Sequence, residues 1–263
     1  MNNTHKRSMV SGYGGLPFGV ISECKVGNVG FLGVPSEVDK GSRIGASLAP
    51  DALRKMAQQL DTKLPANGRD LGNLDVSGDW SSSLMELISH LVNVDVMPVV
   101  IGGTSDVANV ILQALPDLPV VASMPLARRD LVERTENTVW LGLNGEQPIE
   151  VWDQINTRNM VWSTARQLDE QQAITIKAPK SAILWIDMSV IDLGHAAGTI
   201  GLNPGGIKPE TLVSVVGAMD CDWKSIVITG LAPTLDTRGL SELAAIETIN
   251  QALSNGCCGA NKI

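Results

Sequence analysis

The stretch Ile183-Leu-Trp-Ile-Asp187-Met-Ser189-Val-Ile-Asp192-Leu-Gly-His195-Ala-Ala-Gly198-Thr-Ile-Gly201-Leu-Asn-Pro-Gly205-Gly206 decides how this chain folds. Four apolar residues run without alternation into Asp187, and a long glycine-rich loop follows. A strand covered on both faces has that continuous pattern, whereas a strand with one wet face alternates. The same signature recurs on either side, at Val29–Gly33, Met97–Ile101, Leu118–Ala122, Thr138–Leu143 and Lys224–Gly230. With Ser181–Asp187 these are the expected strands.

Amphipathic segments lie between them. Pro50 and Asp51 open one that places Leu53, Met56, Ala57 and Leu60 on a single face. Ser83-Leu-Met-Glu86 has the spacing of a capping box before Leu87, Ile88 and Leu91. Pro209 opens another with Leu212, Val215, Val216 and Met219, and a last helix is expected from about Ser241 to Leu253. Strands alternating with helices and no linker predict an α/β fold: three α/β/α layers around a mainly parallel sheet. Residues 1–25 are irregular and glycine-rich and read as an N-terminal arm; 26–263 read as one domain.

Bulk properties narrow the class. With 263 residues, 44% hydrophobic and 18% charged, the chain can bury one substantial core. A net charge of −8 argues against nucleic acid or an anionic membrane as partner. No apolar run reaches membrane-spanning length, and Met1–Ser8 lacks the apolar centre of a secretory signal. Cys24, Cys221, Cys257 and Cys258 form no CxxC pair and read as free thiols, which points to a cytoplasmic protein. His5, His90 and His195 are the only histidines, so a nitrogen-rich metal site has few donors to draw on.

Five segments between about residue 29 and residue 253 then match one pattern in order. Gly33-Val-Pro35 precedes Arg43-Ile-Gly45-Ala46-Ser-Leu-Ala-Pro50-Asp-Ala-Leu-Arg54. Asp70-Leu71-Gly72 and Gly102-Gly103 come next. The opening stretch with Asp187, Gly198, Thr199, Gly205 and Gly206 is fourth, and Ala232-Pro233-Thr-Leu-Asp236 with Ser241–Ala245 is last. This order resembles the ureohydrolases, the arginase and agmatinase family. The resemblance implies a site with two divalent ions held by two histidines and four aspartates, whose bridging hydroxide attacks a guanidinium carbon.

Most of that ligand set is missing. Where the family has Asp-His-Ser after the glycine pair, this chain has Thr104-Ser105-Asp106, so Ser105 stands for a histidine ligand. The family's Asp-Ala-His-x-Asp best matches Ser123-Met124-Pro125-Leu126-Ala127, which puts Ser123, Pro125 and Ala127 at ligand positions. Asp187 is kept, Ser189 replaces its partner aspartate, and Gly230 replaces the acidic residue that orients the guanidinium. A lone aspartate cannot hold a divalent ion, which needs several donors at once. The losses are mutually consistent, because carboxylates clustered without their cations would repel one another.

The remaining motifs have plain readings beside sharper ones. Asp187 and Asp192 can satisfy N–H groups of the glycine-rich loop, and His195 can serve as a hydrogen-bonding or surface residue. Ser189, Asp187 and His195 invite a nucleophilic triad, but no nucleophile-elbow pattern surrounds the serine. Gly102-Gly103-Thr104-Ser105 could cradle a phosphate ahead of a helix, although no Walker lysine follows. Trp140, Trp162, Trp185 and Trp223 read as core or interface anchors.

The expectation is therefore a metal-free, non-catalytic subunit of a heteromeric ureohydrolase. It would support a catalytic paralogue, itself carrying nickel or manganese, that hydrolyses a guanidine or biguanide compound such as metformin. The family's oligomers imply a trimer- or hexamer-like assembly, with the N-terminal arm, the region after Gly206 and the C-terminal helix as contacts. Removal of residues 1–25 is expected to leave the domain folded. The alternative is a stand-alone regulatory or ligand-binding protein that reuses the emptied pocket with Asp187 as anchor; a metal-independent enzyme is a third reading.

Overall fold

A computed structural model describes residues 12–37, 43–60, 64, 68–134, 137–170 and 176–256. The continuous apolar runs build the centre of one sheet. Its strands are β1 (Val29–Val34), β2 (Arg69–Asn73), β3 (Met97–Gly102), β4 (Val120–Ser123), β5 (Val139–Leu143), β6 (Val161–Thr164), β7 (Ser181–Asp187) and β8 (Asp222–Thr229). They lie in the order β2-β1-β3-β8-β7-β4-β5-β6, and every pairing is parallel.

Parallel neighbours need crossovers, and the helices supply them. These are α1 (Ala49–Ala57), α2 (Trp80–Asn93), α3 (Ser105–Ala114), α4 (Arg129–Arg134), α5 (Ile149–Thr157), α6 (Ala165–Glu170), α7 (Pro209–Gly217) and α8 (Leu240–Gly256). Each face of the sheet has its own core. Leu184 and Ile186 of β7 pack with Leu53 of α1, Leu168 of α6, Leu212 of α7 and Ile249 of α8. Ile183 and Trp185, pointing the other way, join Ile88 of α2, Ile111 of α3, Leu131 of α4 and Ile155 of α5. The result is the expected three-layer α/β/α architecture around a parallel sheet. No helix among the described residues is long and apolar enough to cross a membrane.

Four details differ from the sequence expectation. Strand β6 had no apolar signature because it is an edge strand of four residues, the first exposed and the rest half-buried. Strand β2, the opposite edge, was visible only through Asp70-Leu71-Gly72. The capping box at Ser83 is not used: α2 begins earlier, at Trp80, because the Asp79 carboxylate accepts the Ser82 N–H at 3.2 Å. Ser83 lies inside the helix.

The fourth concerns the segment read as an arm. Tyr13 is fully buried and stacks on Phe31 of β1, with ring centroids 4.3 Å apart. Its backbone N–H donates to Asp70 at 2.7 Å, and Gly19 N–H donates to the Asp70 carbonyl at 3.0 Å. Residues from Gly12 onward are thus stitched to β2 and to the core, so cutting at residue 25 removes a core aromatic rather than a dispensable arm. Residues 1–11, and Cys257 and Cys258, lie outside the described residues.

The Asp70 carboxylate is the hub of that corner. It is fully buried and accepts from Arg54 Nε at 2.8 Å, Arg54 Nη2 at 2.9 Å and Gly72 N–H at 2.8 Å, besides Tyr13. Arg54 also donates to the Gly72 carbonyl at 2.8 Å. Two of the sequence segments, Arg54 at the end of one and Asp70-Leu-Gly72, are therefore halves of one contact.

Candidate functional site

Strands β3, β8, β7 and β4 are consecutive in the sheet, so their carboxyl ends form one rim. Asp187 pairs in register with Thr229, and Ser123 with Ile186. That places Ser123, Asp187, Thr229 and the following Gly230 side by side. Ser105 is the first residue of α3, just beyond the end of β3. Pro125 and Ala127 turn toward the loop after β5: the Pro125 carbonyl accepts from Gln147 Nε2 at 3.0 Å, and Ala127 N–H donates to Gln147 Oε1 at 2.8 Å.

The glycine-rich loop that follows Asp187 is woven across this rim. Ser189 Oγ accepts the Gly201 N–H at 3.0 Å, and Ile200 N–H donates to the Gly230 carbonyl at 2.8 Å. Gly198 N–H donates to Ser241 Oγ at 2.8 Å, and that hydroxyl donates to Asp236 at 2.8 Å. Asp192 accepts from Gly194 N–H at 2.8 Å and Gly205 N–H at 2.6 Å, with His195 Nδ1 at 3.3 Å. Burial pushes its carboxyl up, but these N–H groups and His195 outweigh burial and hold it below the usual carboxylate range. The plain reading of Asp192 as a loop-satisfying acid is what the geometry shows.

The sharper readings do not assemble. His195 is paired with Asp192 and exposed, while the Ser189 hydroxyl faces the loop backbone, so no Ser-His-Asp relay forms. The glycine pair after β3 makes no phosphate cradle either. Gly103 N–H is committed to the Val34 carbonyl at 3.1 Å, and its carbonyl accepts from Gly230 at 3.0 Å. A Cβ on Gly103 would overlap the Ser36 carbonyl, so the glycine is needed for backbone approach.

The rim does not fit a divalent ion. Asp187 is the one carboxylate among the ligand positions, and its Oδ1 already accepts the Ser189 N–H at 2.9 Å. Desolvation raises its pKa, against the opposing pull of the Ser189 N–H and the Arg128 guanidinium. Ser123 is fully buried, and its hydroxyl has no hydrogen-bond partner among the described residues. Among those residues no three His, Cys, Asp or Glu side chains converge.

Arg128 is the functional neighbour that sequence reasoning did not single out. Its guanidinium lies 5.0 Å above the Trp185 ring, donates to Asn109 at 2.9 Å and Asp130 at 2.7 Å, and is the cation nearest in influence to Asp187. The signal available was a basic pair, Arg128-Arg129, directly after the altered ligand segment. Trp185 in turn donates its indole N–H to Thr229 Oγ1 at 2.9 Å.

The raised pKa of Asp187 gives a signed expectation. Stability from this group is complete at pH below its unfolded pKa and is lost as pH rises through the higher folded value. Asp187→Asn keeps an oxygen for the Ser189 N–H and removes the titration. Relative to the wild type, the variant should therefore gain stability as pH rises above about 4, where an unfolded aspartate of ordinary pKa ionises, until the folded carboxyl ionises as well. Urea denaturation of both proteins across that range checks it; parallel pH profiles would refute it.

With the fold and rim described, similarity to known proteins can be placed. A model of the arginase family matches residues 27–122. Formimidoylglutamase of Halalkalibacterium halodurans is 22% identical over 89% of this chain and 88% of its own length. The crystal structure of formimidoylglutamase from Bacillus subtilis superposes with a TM-score of 0.79 at 18% identity, covering 99% of this chain and 97% of that one. Formiminoglutamase of Trypanosoma cruzi, crystallised with Mn2+, superposes with a TM-score of 0.75 at 16% identity, covering 90% and 94%. The structures share the arginase-like fold. Residues 27–122 thus resemble the arginase family, and most of the chain is similar at low identity to a formimidoylglutamase.

Proposed function

We propose that this chain is a non-catalytic subunit of a heteromeric metal-dependent ureohydrolase. It supports a catalytic paralogue that carries nickel or manganese and hydrolyses a guanidine or biguanide compound such as metformin, as in a two-component metformin hydrolase. One observation carries the reading: four adjacent strand ends that could deliver a ligand cluster deliver a single, half-buried carboxylate, Asp187. Divalent ions of the size these enzymes use need three or more nitrogen or oxygen donors. The strands of the rim sit between two apolar cores, which supports a folded scaffold without the ligand set. Symmetric enzymes of this architecture become heteromeric by sharing one interface between paralogues.

The test is made on the chain alone and co-expressed with a metal-bearing paralogue. Alone and after dialysis it should retain far less than one manganese, nickel or zinc per chain by elemental analysis, and should not hydrolyse arginine, agmatine, guanidine or metformin. Together the two should co-elute as one species by size exclusion with light scattering, and the paralogue's activity should depend on this chain. Separate elution, with the paralogue fully active alone, would replace this proposal by the stand-alone ligand-binding reading; near-stoichiometric metal in the isolated chain would overturn it.

A further inference from the structure

Away from the rim, the far end of the sheet holds a second concavity. Leu143 and Thr164, the last residues of β5 and β6, open onto a cavity of about 490 Å³. That volume suits a small organic molecule, for which sites of roughly 300–1,000 Å³ are usual. It lies outside the carboxyl ends of β5 and β6, at one edge of the sheet. Its walls are Leu143, Ile149 at 78% exposure, and the indoles of Trp152 and Trp162, whose ring centroids are 4.6 Å apart at 65°.

The polar lining is already committed to the protein. Asn144 Nδ2 donates to Asn203 Oδ1 at 2.7 Å and to the Pro204 carbonyl at 2.9 Å, and Gln147 is held by Pro125, Ala127 and Asn144. Thr164 is bonded to Gln167. These bonds brace the walls and leave the aromatic and aliphatic surface as what the cavity offers. Arg166 is the one ionisable side chain of the lining. Its Nε donates to Glu170 at 2.8 Å, so among the described residues the terminal amino groups of its guanidinium are the part not engaged.

We propose that this cavity is a binding site for a small monocarboxylate with a flat apolar body. The body would lie against Trp152, Trp162 and Ile149, burying apolar surface that now faces water. The carboxylate would reach the Arg166 guanidinium, whose fork suits two oxygens. An ammonium group reaching those amino groups would meet donors and no acceptor, with Glu170 offsetting part of the charge repulsion. The site is separate from Asp187 and its neighbours, and the proposal is independent of the subunit role. It has a structural link to the rim, however, because Gln147 and Asn144 hold both the Pro125–Ala127 segment and the end of the glycine-rich loop.

The experiment titrates the full chain with 3-phenylpropionate, 3-phenylpropionamide and 2-phenylethylamine, following indole N–H signals by NMR. The carboxylate should bind saturably with one molecule per chain and shift the Trp152 and Trp162 signals, assigned from Trp152→Phe and Trp162→Phe, but not those of Trp140 and Trp223. The amide should bind about fivefold more weakly, and the amine more weakly still. Arg166→Gln, at an exposed position that leaves folding untouched, should weaken the carboxylate about fivefold and leave the amide unchanged. No saturable shift at millimolar carboxylate, equal binding of the amine, shifts confined to other tryptophans, or indifference to Arg166→Gln would each overturn the proposal.

Discussion

Asp70→Ala is expected to destabilise the protein by about 3–5 kcal/mol, because it strips the Arg54 guanidinium of its buried counter-charge and leaves only the exposed Asp51 carboxylate at 3.1 Å. Arg54 keeps the Gly72 carbonyl and Asn73, but loses the two-pronged contact at 2.8 and 2.9 Å. The Tyr13 and Gly72 N–H groups lose their acceptor at the same time. Leaving a buried donor unsatisfied costs roughly 1–3 kcal/mol. Replacing Asp70 and Arg54 together by apolar residues of similar volume should cost much less than either single change, since no lone charge is then left behind. Equilibrium denaturation of the two single variants and the double variant measures the difference. A small effect for Asp70→Ala would mean that the corner is not the clamp described above.

The second large effect lies at the rim. Gly230→Glu, which writes back the family's acidic residue, should cost on the order of 2–6 kcal/mol. Gly230 has φ of +81°, a backbone conformation that costs a side chain roughly 1–3 kcal/mol. A Cβ there would also sit inside 3.0 Å of Asp187 Oδ1, and overpacking of that kind costs roughly another 1–3 kcal/mol. Combining Gly230→Glu with Asp187→Ala should recover the packing part and not the backbone part, a separation that a double-mutant cycle reads directly. If Gly230→Glu were neutral, the rim would be more open than Asp187 and Gly230 make it.

The comparison of sequence with structure has a physical pattern. Strands β1, β3, β4, β5, β7 and β8 were legible because both of their faces are covered, which forces an unbroken apolar run. Strand β6 was not, because an edge strand with a half-exposed face carries no such constraint. Sequence placed the cap of α2 at Ser83, since Asp79 offers no spacing pattern beyond a single carboxylate before a tryptophan. At the rim, Asp187, Ser189, Ser123 and Gly230 could be named from the order of motifs, and the sheet register then sets Asp187, Ser123 and Gly230 beside one another. Arg128 could not be named, because its partner Trp185 sits on a strand reached only through the fold. The docking of Tyr13 on Phe31 was equally hidden: a lone aromatic in a glycine-rich segment has no periodicity to betray burial.

The place of β8 has a consequence for how the chain comes off the ribosome. Although it is the last strand among the described residues, β8 lies between β3 and β7 and pairs with both. Until residues 222–229 emerge, the nascent chain can form a β2-β1-β3 block and a β7-β4-β5-β6 block, but nothing joins them. Each block would then present an open, apolar edge, at β3 and at β7, of the kind that invites pairing with other chains. One of the two joins, β3 to β8, pairs residues as distant in sequence as Val99 and Ile226, and contacts of that kind slow folding. Residues 222–229 must therefore be made before the two halves can close, and a chain stalled ahead of them is a natural client for chaperones.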